Sequence, residues 1–171
     1  FINYGEKEPY LNHCIALNSC DTLDNIVPNS KIETYNTEKD VLNAWTNLVQ
    51  KENPDIIIGY NIFGFDYQFM FLRAKELGCE RKFLELSRNK GEVCIEKDWK
   101  TGKEGLVEMQ VTVASGQYNL HYVKMPGRLQ IDLYTYFRKS FQLLKYKLDY
   151  VASYFIGDNV SRIEYLPETN E

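Results

Sequence analysis

The sequence has no excess of positive charge. Lys and Arg number 20 against 24 Asp and Glu, for a formal net charge of −4. That argues against a protein that coats nucleic acid through bulk charge. It leaves open an enzyme that handles nucleic acid through metal ions, because metals supply the positive charge locally. Histidine is scarce, with only His13 and His121. The four cysteines, Cys14, Cys20, Cys79 and Cys94, form no C-x-x-C pair. A zinc site therefore has little support, and reduced, mostly buried thiols in a reducing, intracellular compartment are the expectation. There is no G-x-S-x-G and no P-loop, and neither histidine has an obvious Cys or Ser partner in sequence for nucleophilic catalysis. No apolar run approaches the roughly 20 residues of a membrane span, and no signal peptide, internal repeat or low-complexity tract is visible. The first residue is Phe rather than Met, so the expectation is a piece of a larger protein.

What the chain does have is aromatic surface. It carries 13 Tyr, 9 Phe and 2 Trp among 171 residues. Such side chains build a core, and their flat faces also stack on bases. The length suits one domain with a real core.

The segment around which the chain is organised runs from Asn53 to Leu72. Ile56 to Ile58 is a β-branched run after a Pro-Asp break, the pattern of a strand buried on both faces. Gly59 and Gly64 bracket a tight turn. A helix rich in large apolar residues is expected from Asp66 to Leu77, stopped by Gly78. Upstream, Phe1 to Asn3 is expected to pair with Tyr10 to Leu17 as a hairpin. Asn18 to Ser30 reads as a loop and Lys31 to Tyr35 as a short strand. Thr37 is the candidate N-cap of a helix whose apolar face carries Val41, Ala44, Trp45, Leu48 and Val49, ending before Pro54. This alternation of strands and helices is that of an α/β sheet.

Downstream, residues 79–104 are dense in balanced charge and read as a solvated insertion. Residues 106–124 alternate as a β-hairpin with one apolar face and a turn at Ala114 to Gln117. Leu129 to Leu133 is a strand that carries Asp132. Helices are expected over Tyr134 to Leu144 and Leu148 to Ile156, the second closed by Gly157. A polar tail, 158–171, follows.

Asp66 is the first candidate for chemistry. An Asp at a helix start is either an N-terminal cap or a hard oxygen ligand for Mg²⁺ at a sheet edge. Asn61 serves either the local turn or a contact to sugar, phosphate or base. Phe65 serves either the core or a stacking platform. From Lys124 to Lys147 six basic residues, Lys124, Arg128, Arg138, Lys139, Lys145 and Lys147, face a lone acid, Asp132. Five aromatics are interleaved. That stretch is either a nucleic-acid-facing surface, with Arg138, Lys139 and Lys145 on it, or the solvated face of an amphipathic helix.

Two motifs go beyond generic chemistry. Asp55-Ile-Ile-Ile-Gly-Tyr-Asn61-Ile-Phe-Gly-Phe65-Asp66 closely resembles the second exonuclease motif of family B DNA polymerases, N-x-x-x-F-D after a D-[IV]-[IL]-x-G-Y strand. Gly127-Arg128-Leu-Gln-Ile-Asp132-Leu, with Tyr146-Lys-Leu-Asp-Tyr-Val151 and Phe155-Ile-Gly157 after it, resembles the G-R-x-x-x-D-[LM] strand and helices of the same domain. The likeness covers nearly the whole chain, and is greatest to delta-type enzymes and their large-DNA-virus relatives. It implies a 3′→5′ proofreading exonuclease of ribonuclease H-like fold, a mixed sheet with flanking helices. Its two Mg²⁺ ions (or Mn²⁺) are held by four carboxylates. Its partners are the single-stranded 3′ end of a DNA primer and the rest of the polymerase chain, in the nucleus or at a viral replication site. Asp66 takes the place of the metal-binding carboxylate of the second motif, and Asn61 and Phe65 those of residues that touch the 3′ end.

The same resemblance places the first motif, D-x-E, before Phe1 and the third, Y-x-x-x-D, beyond Glu171. The chain is then a partial exonuclease domain, 1–171, without the first, central strand and the last helix. On its own it is expected to be inactive and, through exposed apolar edges, to aggregate, to form a dimer or other homo-oligomer, or to be rescued by a partner. Two other readings compete. One is a non-catalytic nucleic-acid-binding or scaffold module derived from such a domain. The other is a different metal-dependent exonuclease of the same fold.

Overall fold

A computed structural model describes residues 1–5, 8–21, 27–113 and 116–157. Part of the expected 18–30 loop, the tip of the 106–124 hairpin and the 158–171 tail lie outside the described residues. The architecture is mixed α/β. Two parallel strand pairs and two antiparallel ones are joined by helices.

Strand β1 (Asn12–Leu17) pairs in parallel with β2 (Ser30–Tyr35). The expected N-terminal hairpin is reduced to one antiparallel bridge, Ile2 to Leu11. Helix α1 (Glu38–Glu52) starts where Thr37 caps it, its hydroxyl oxygen accepting from Asp40 N at 3.2 Å. It ends at Asn53, which turns left-handed before Pro54. Its buried residues are Leu42, Ala44, Thr46 and Val49. Thr46 was not legible as core. Its hydroxyl is satisfied inside, donating to Phe83 O at 3.0 Å, which removes the cost of burying it.

Strand β3 (Ile56–Gly59) pairs in parallel with β8 (Leu129–Asp132), Ile56 opposite Leu129 and Gly59 opposite Asp132. Burial on both faces does not hold for β3. Ile56 is 48% and Ile58 57% exposed, because β8 is its single strand neighbour among the described residues. A π-turn, Ile62–Asp66, leads into α2 (Tyr67–Glu76), and Gly78 closes it at φ +62°.

The 79–104 segment is not wholly solvated. It begins with a short helix, α3 (Glu80–Phe83), and places Phe83, Leu84, Leu86 and Cys94 in the core beside Leu42, Val49, Phe71, Ala74, Val123 and Met125. Phe83 stacks on Trp45 with centroids 5.5 Å apart. Only its second half, with β4 (Glu96–Lys97), the exposed Trp99 and β5 (Glu104–Gly105), projects as a charged hairpin.

Strands β6 (Val107–Val113) and β7 (Gly116–Tyr122) form the expected antiparallel hairpin. Its apolar face is made of the cross-strand pairs Val107–Tyr122, Met109–Leu120 and Val111–Tyr118. Helix α4 (Leu133–Ser140) is shorter than the expected 134–144. Past Ser140 the chain is held in a loop by Tyr146, whose hydroxyl donates to Phe141 O at 2.7 Å and accepts from Leu143 N at 3.2 Å. Helix α5 (Leu148–Ile156) ends at Gly157, and its Phe155 packs against Phe137 and Phe141.

Candidate active site

The in-register ends of β3 and β8 bring Asp132 against the start of the 59–66 turn. Asp132 is 3% exposed. Its Oδ1 accepts from Asn61 N at 2.8 Å and from Tyr134 N at 2.9 Å; its Oδ2 accepts from Phe63 N at 2.9 Å. One carboxylate thus caps α4 and holds two amides of the turn. The sequence alone places Asp132 on its strand and assigns it no role.

The turn depends on its glycines for space. A Cβ on Gly59 would stand 2.3 Å from Ile62 Cγ2, and one on Gly64 would stand 2.3 Å from Asn61 Oδ1. Asn61 takes a left-handed conformation, φ +63°, which asparagine tolerates better than most residues. Its carbonyl accepts from Gly64 N at 3.1 Å and Phe65 N at 3.0 Å. Single π-turns of this kind recur at functional sites.

Asp66 ends the turn. The expectation of an N-cap is not met, since its side chain makes no capping hydrogen bond. The carboxylate is half-buried, and its backbone partner is its own amide. Burial pushes its pKa up, a backbone hydrogen bond opposes this, and the nearby Asp132 charge adds to the rise. Phe65 is 58% exposed and stacks on Phe69, itself 52% exposed, at 5.5 Å with planes 13° apart. An open aromatic face therefore stands next to an open carboxylate. Tyr67 is buried, and its hydroxyl finds no partner among the described residues. Burial, then Asp132 and Asp66, push its pKa up.

Among the described residues no group of three or more His, Cys, Asp or Glu could hold a metal ion. Asp132 already accepts from three backbone amides, whereas Asp66, at the end of the turn, makes no capping hydrogen bond. These residues do not complete a metal site.

The basic segment divides. Lys124 pairs with Glu96 at 2.8 Å. Arg128 is buried, donating to Leu86 O at 2.9 Å and Pro54 O at 2.6 Å. The Arg138 guanidinium lies 4.7 Å from the ring centroids of Tyr118 and Tyr146 and 5.3 Å from that of Tyr134, whose hydroxyl oxygen it meets at 2.6 Å. This tyrosine group adjoins the turn, because Tyr60 donates to Tyr146 O at 2.7 Å and its ring meets that of Tyr134 edge-on. Lys139 and Lys145 are exposed, and no ion pair engages them among the described residues. The structure thus brings Asn61, Phe65 and Asp66 together on one turn. It sets Arg138 in a cage alongside, and leaves Lys139 and Lys145 on the surface.

Residues 1–151 match the exonuclease domain of DNA polymerase family B. The chain belongs to that family. It is 44% identical over its whole length to a DNA polymerase of Phaeocystis pouchetii virus, covering 17% of that protein. It is 36% identical over 92% of its length to a DNA polymerase of Pyramimonas orientalis virus, covering 12% of it. It is 28% identical over 94% of its length to the DNA polymerase delta catalytic subunit of Candida albicans, covering 14% of it. The chain of this family B exonuclease domain therefore spans under a fifth of the length of these relatives. Among its described residues no helix is long and apolar enough to cross a membrane.

Proposed function

We propose that this chain is the middle portion of the 3′→5′ proofreading exonuclease domain of a DNA-directed DNA polymerase, with a ribonuclease H-like fold. It would remove mismatched 3′ nucleotides from a primer inside the cell, in the nucleus or at a viral replication site. The observation that carries the reading is Asp66: a half-buried carboxylate with no capping bond, at the end of a π-turn, beside an exposed Phe65. Two Mg²⁺ ions, or Mn²⁺, would supply Lewis-acid stabilisation of the phosphodiester, and Asp66 is one ligand for them. Asn61 would contact the single-stranded 3′ end and Phe65 would stack on a base. Lys139 and Lys145 would track phosphates, and Arg138 would hold the tyrosine group that borders their path.

The completing carboxylates belong to the rest of the polymerase, so the isolated chain does not hydrolyse DNA. A non-catalytic, nucleic-acid-binding scaffold is the second reading, favoured by the lack of a three-ligand cluster among the described residues. Asp66→Ala in the full-length protein separates the two. Degradation of a mismatched primer should fall by at least about a hundredfold with polymerisation retained. Unchanged degradation sinks the enzymatic assignment. Lys145→Ala should reduce the salt slope of single-strand binding by about 0.7.

A further inference from the structure

We propose that Asp132 is a positioning residue for Asp66: it pins the backbone of the 59–66 turn and so sets where the Asp66 carboxylate stands. This rests on the reading of Asp66 as a metal ligand. Capping α4 uses one bond, Tyr134 N to Oδ1, and Ser, Thr or Asn would serve there almost as well as Asp. The remaining capacity is spent on the turn. Asn61 N takes the second lone-pair direction of Oδ1 at 2.8 Å, and Phe63 N takes Oδ2 at 2.9 Å.

Three amide donors converge on two oxygens, and only an ionised carboxylate is acceptor-only at both. An Asn side chain would turn an NH₂ toward one of those amides, donor against donor. A Ser hydroxyl has one oxygen and cannot reach both amides of the turn while capping α4. The site is 97% removed from solvent by the residue's 3% exposure, so water does not substitute readily and an unpaired amide carries its full desolvation cost.

The turn needs this hold. It contains a left-handed Asn61 and a π-turn, both sparsely populated conformations that persist only when surroundings over-determine them. Asp132 also has an electrostatic cost, since its charge lies close enough to Asp66 to oppose that group's ionisation. A neutral cap would avoid the repulsion. The geometry of the two turn amides is what a neutral cap cannot supply.

The test uses the full-length polymerase carrying Asp132→Asn, Asp132→Ser or, as reference, Asp66→Ala. Exonuclease kcat and KM are measured on a single-stranded 3′ end, polymerisation on a matched primer, and hydrogen exchange on peptides spanning 59–66, 67–76 and 133–140. A displacement of about 1 Å at a reacting group costs on the order of a hundredfold. Both Asp132 variants should therefore lose at least about tenfold in exonuclease kcat. The fall in kcat should exceed any rise in KM, since Asn61 and Phe65 ride on the same turn, and polymerisation should be unchanged. Exchange in 59–66 should accelerate about tenfold or more while 67–76 and 133–140 keep their protection. Wild-type kcat in either variant overturns the proposal, because a cap-only role tolerates both. So does a change confined to KM, a loss of protection spread over all three peptides, or failure of both variants to fold. If Asp66→Ala still degrades the primer, the reading of the site itself falls. If Asp66→Ala is dead and the Asp132 variants are fully active, the positioning role alone falls.

Discussion

Replacing Arg128 by Met should destabilise the domain, and the structure sets the size of the effect. The guanidinium is 9% exposed and donates to Leu86 O at 2.9 Å and Pro54 O at 2.6 Å. It ties the core segment after α3 to the entry of β3 at the point where β8 begins. Among the described residues no carboxylate holds it in an ion pair, and burial, with the Arg88 charge, lowers its pKa. Two effects compete. Removing a buried charge returns its desolvation penalty, which has made buried-ion replacements neutral or stabilising elsewhere. Against this, two hydrogen bonds from a charged donor contribute about 1.5–3 kcal/mol each, and two carbonyls lose their donor. Met keeps the apolar stem, so the polar loss dominates, and a net cost of about 2–4 kcal/mol is expected. Arg128→Lys should cost roughly half of that, since an ammonium lacks the planar fork that serves both carbonyls. Urea denaturation followed by Trp45 fluorescence reads the change directly, because Trp45 stacks on Phe83 beside the tethered segment. Protein concentration is held fixed, as association would shift the midpoint. A Met variant as stable as the parent would show that desolvation outweighs the hydrogen bonds and refute the reasoning.

Gly64→Ala should cost about 1–3 kcal/mol by overpacking and sharply reduce primer degradation in the full-length protein, because its Cβ would fall 2.3 Å from Asn61 Oδ1 and push that side chain aside. Gly105→Ala, with nothing within 4 Å, is the control in the same melt. Asp66→Asn should stabilise the fold near neutral pH. The folded carboxyl has a raised pKa, so the folded state binds the proton more tightly than the unfolded chain. That contribution is complete below the ordinary Asp range and lost as pH rises through the folded value. The advantage in Tm of the Asn variant should thus shrink as pH falls from about 7 toward about 4, and a pH-independent difference would count against the linkage. The isolated chain should self-associate through β3 and β8, where Ile56, Ile58 and Leu129 are 48%, 57% and 56% exposed. Ile58→Lys should shift light scattering toward monomer, and a monomeric parent would end that idea.

Local signals were legible where the chemistry was local. Thr37, the spacing after it and Pro54 delimit α1 because caps and breakers act within a turn of the helix. The hairpin was readable from its alternation, since period-two patterning needs only neighbours. What escaped depended on distant partners. Ile56 to Ile58 reads as a two-sided buried strand, yet burial depends on which strands flank it. Phe83, Leu84 and Leu86 sit amid dense charge, so composition hid the fact that α1 and α2 cover them. The end of α4 at Ser140 comes from Tyr146, a residue beyond the helix. Of the site, Asn61, Phe65 and Asp66 were readable together as one motif. Asp132 was not, because its partners Asn61 and Phe63 lie about seventy positions away and meet it only through strand register.

The two aspartates show why residue type does not assign role. Both lie where a strand or turn enters a helix, and from sequence only Asp66 reads as a helix cap. Asp132 is the one that caps. Its oxygens accept from three amides, which leaves one lone-pair direction, on Oδ2, inside a buried site. Asp66 caps nothing, so its oxygens remain available at the cost of partial desolvation beside a like charge. That cost is what a divalent cation would offset, since a nearby positive charge favours the ionised carboxylate that burial and Asp132 disfavour. The same two features that raise the Asp66 pKa, partial burial and a neighbouring carboxylate, are those that would make a cation bound there more stabilising than on open surface. A carboxylate placed only to cap a helix would have no reason to bear them.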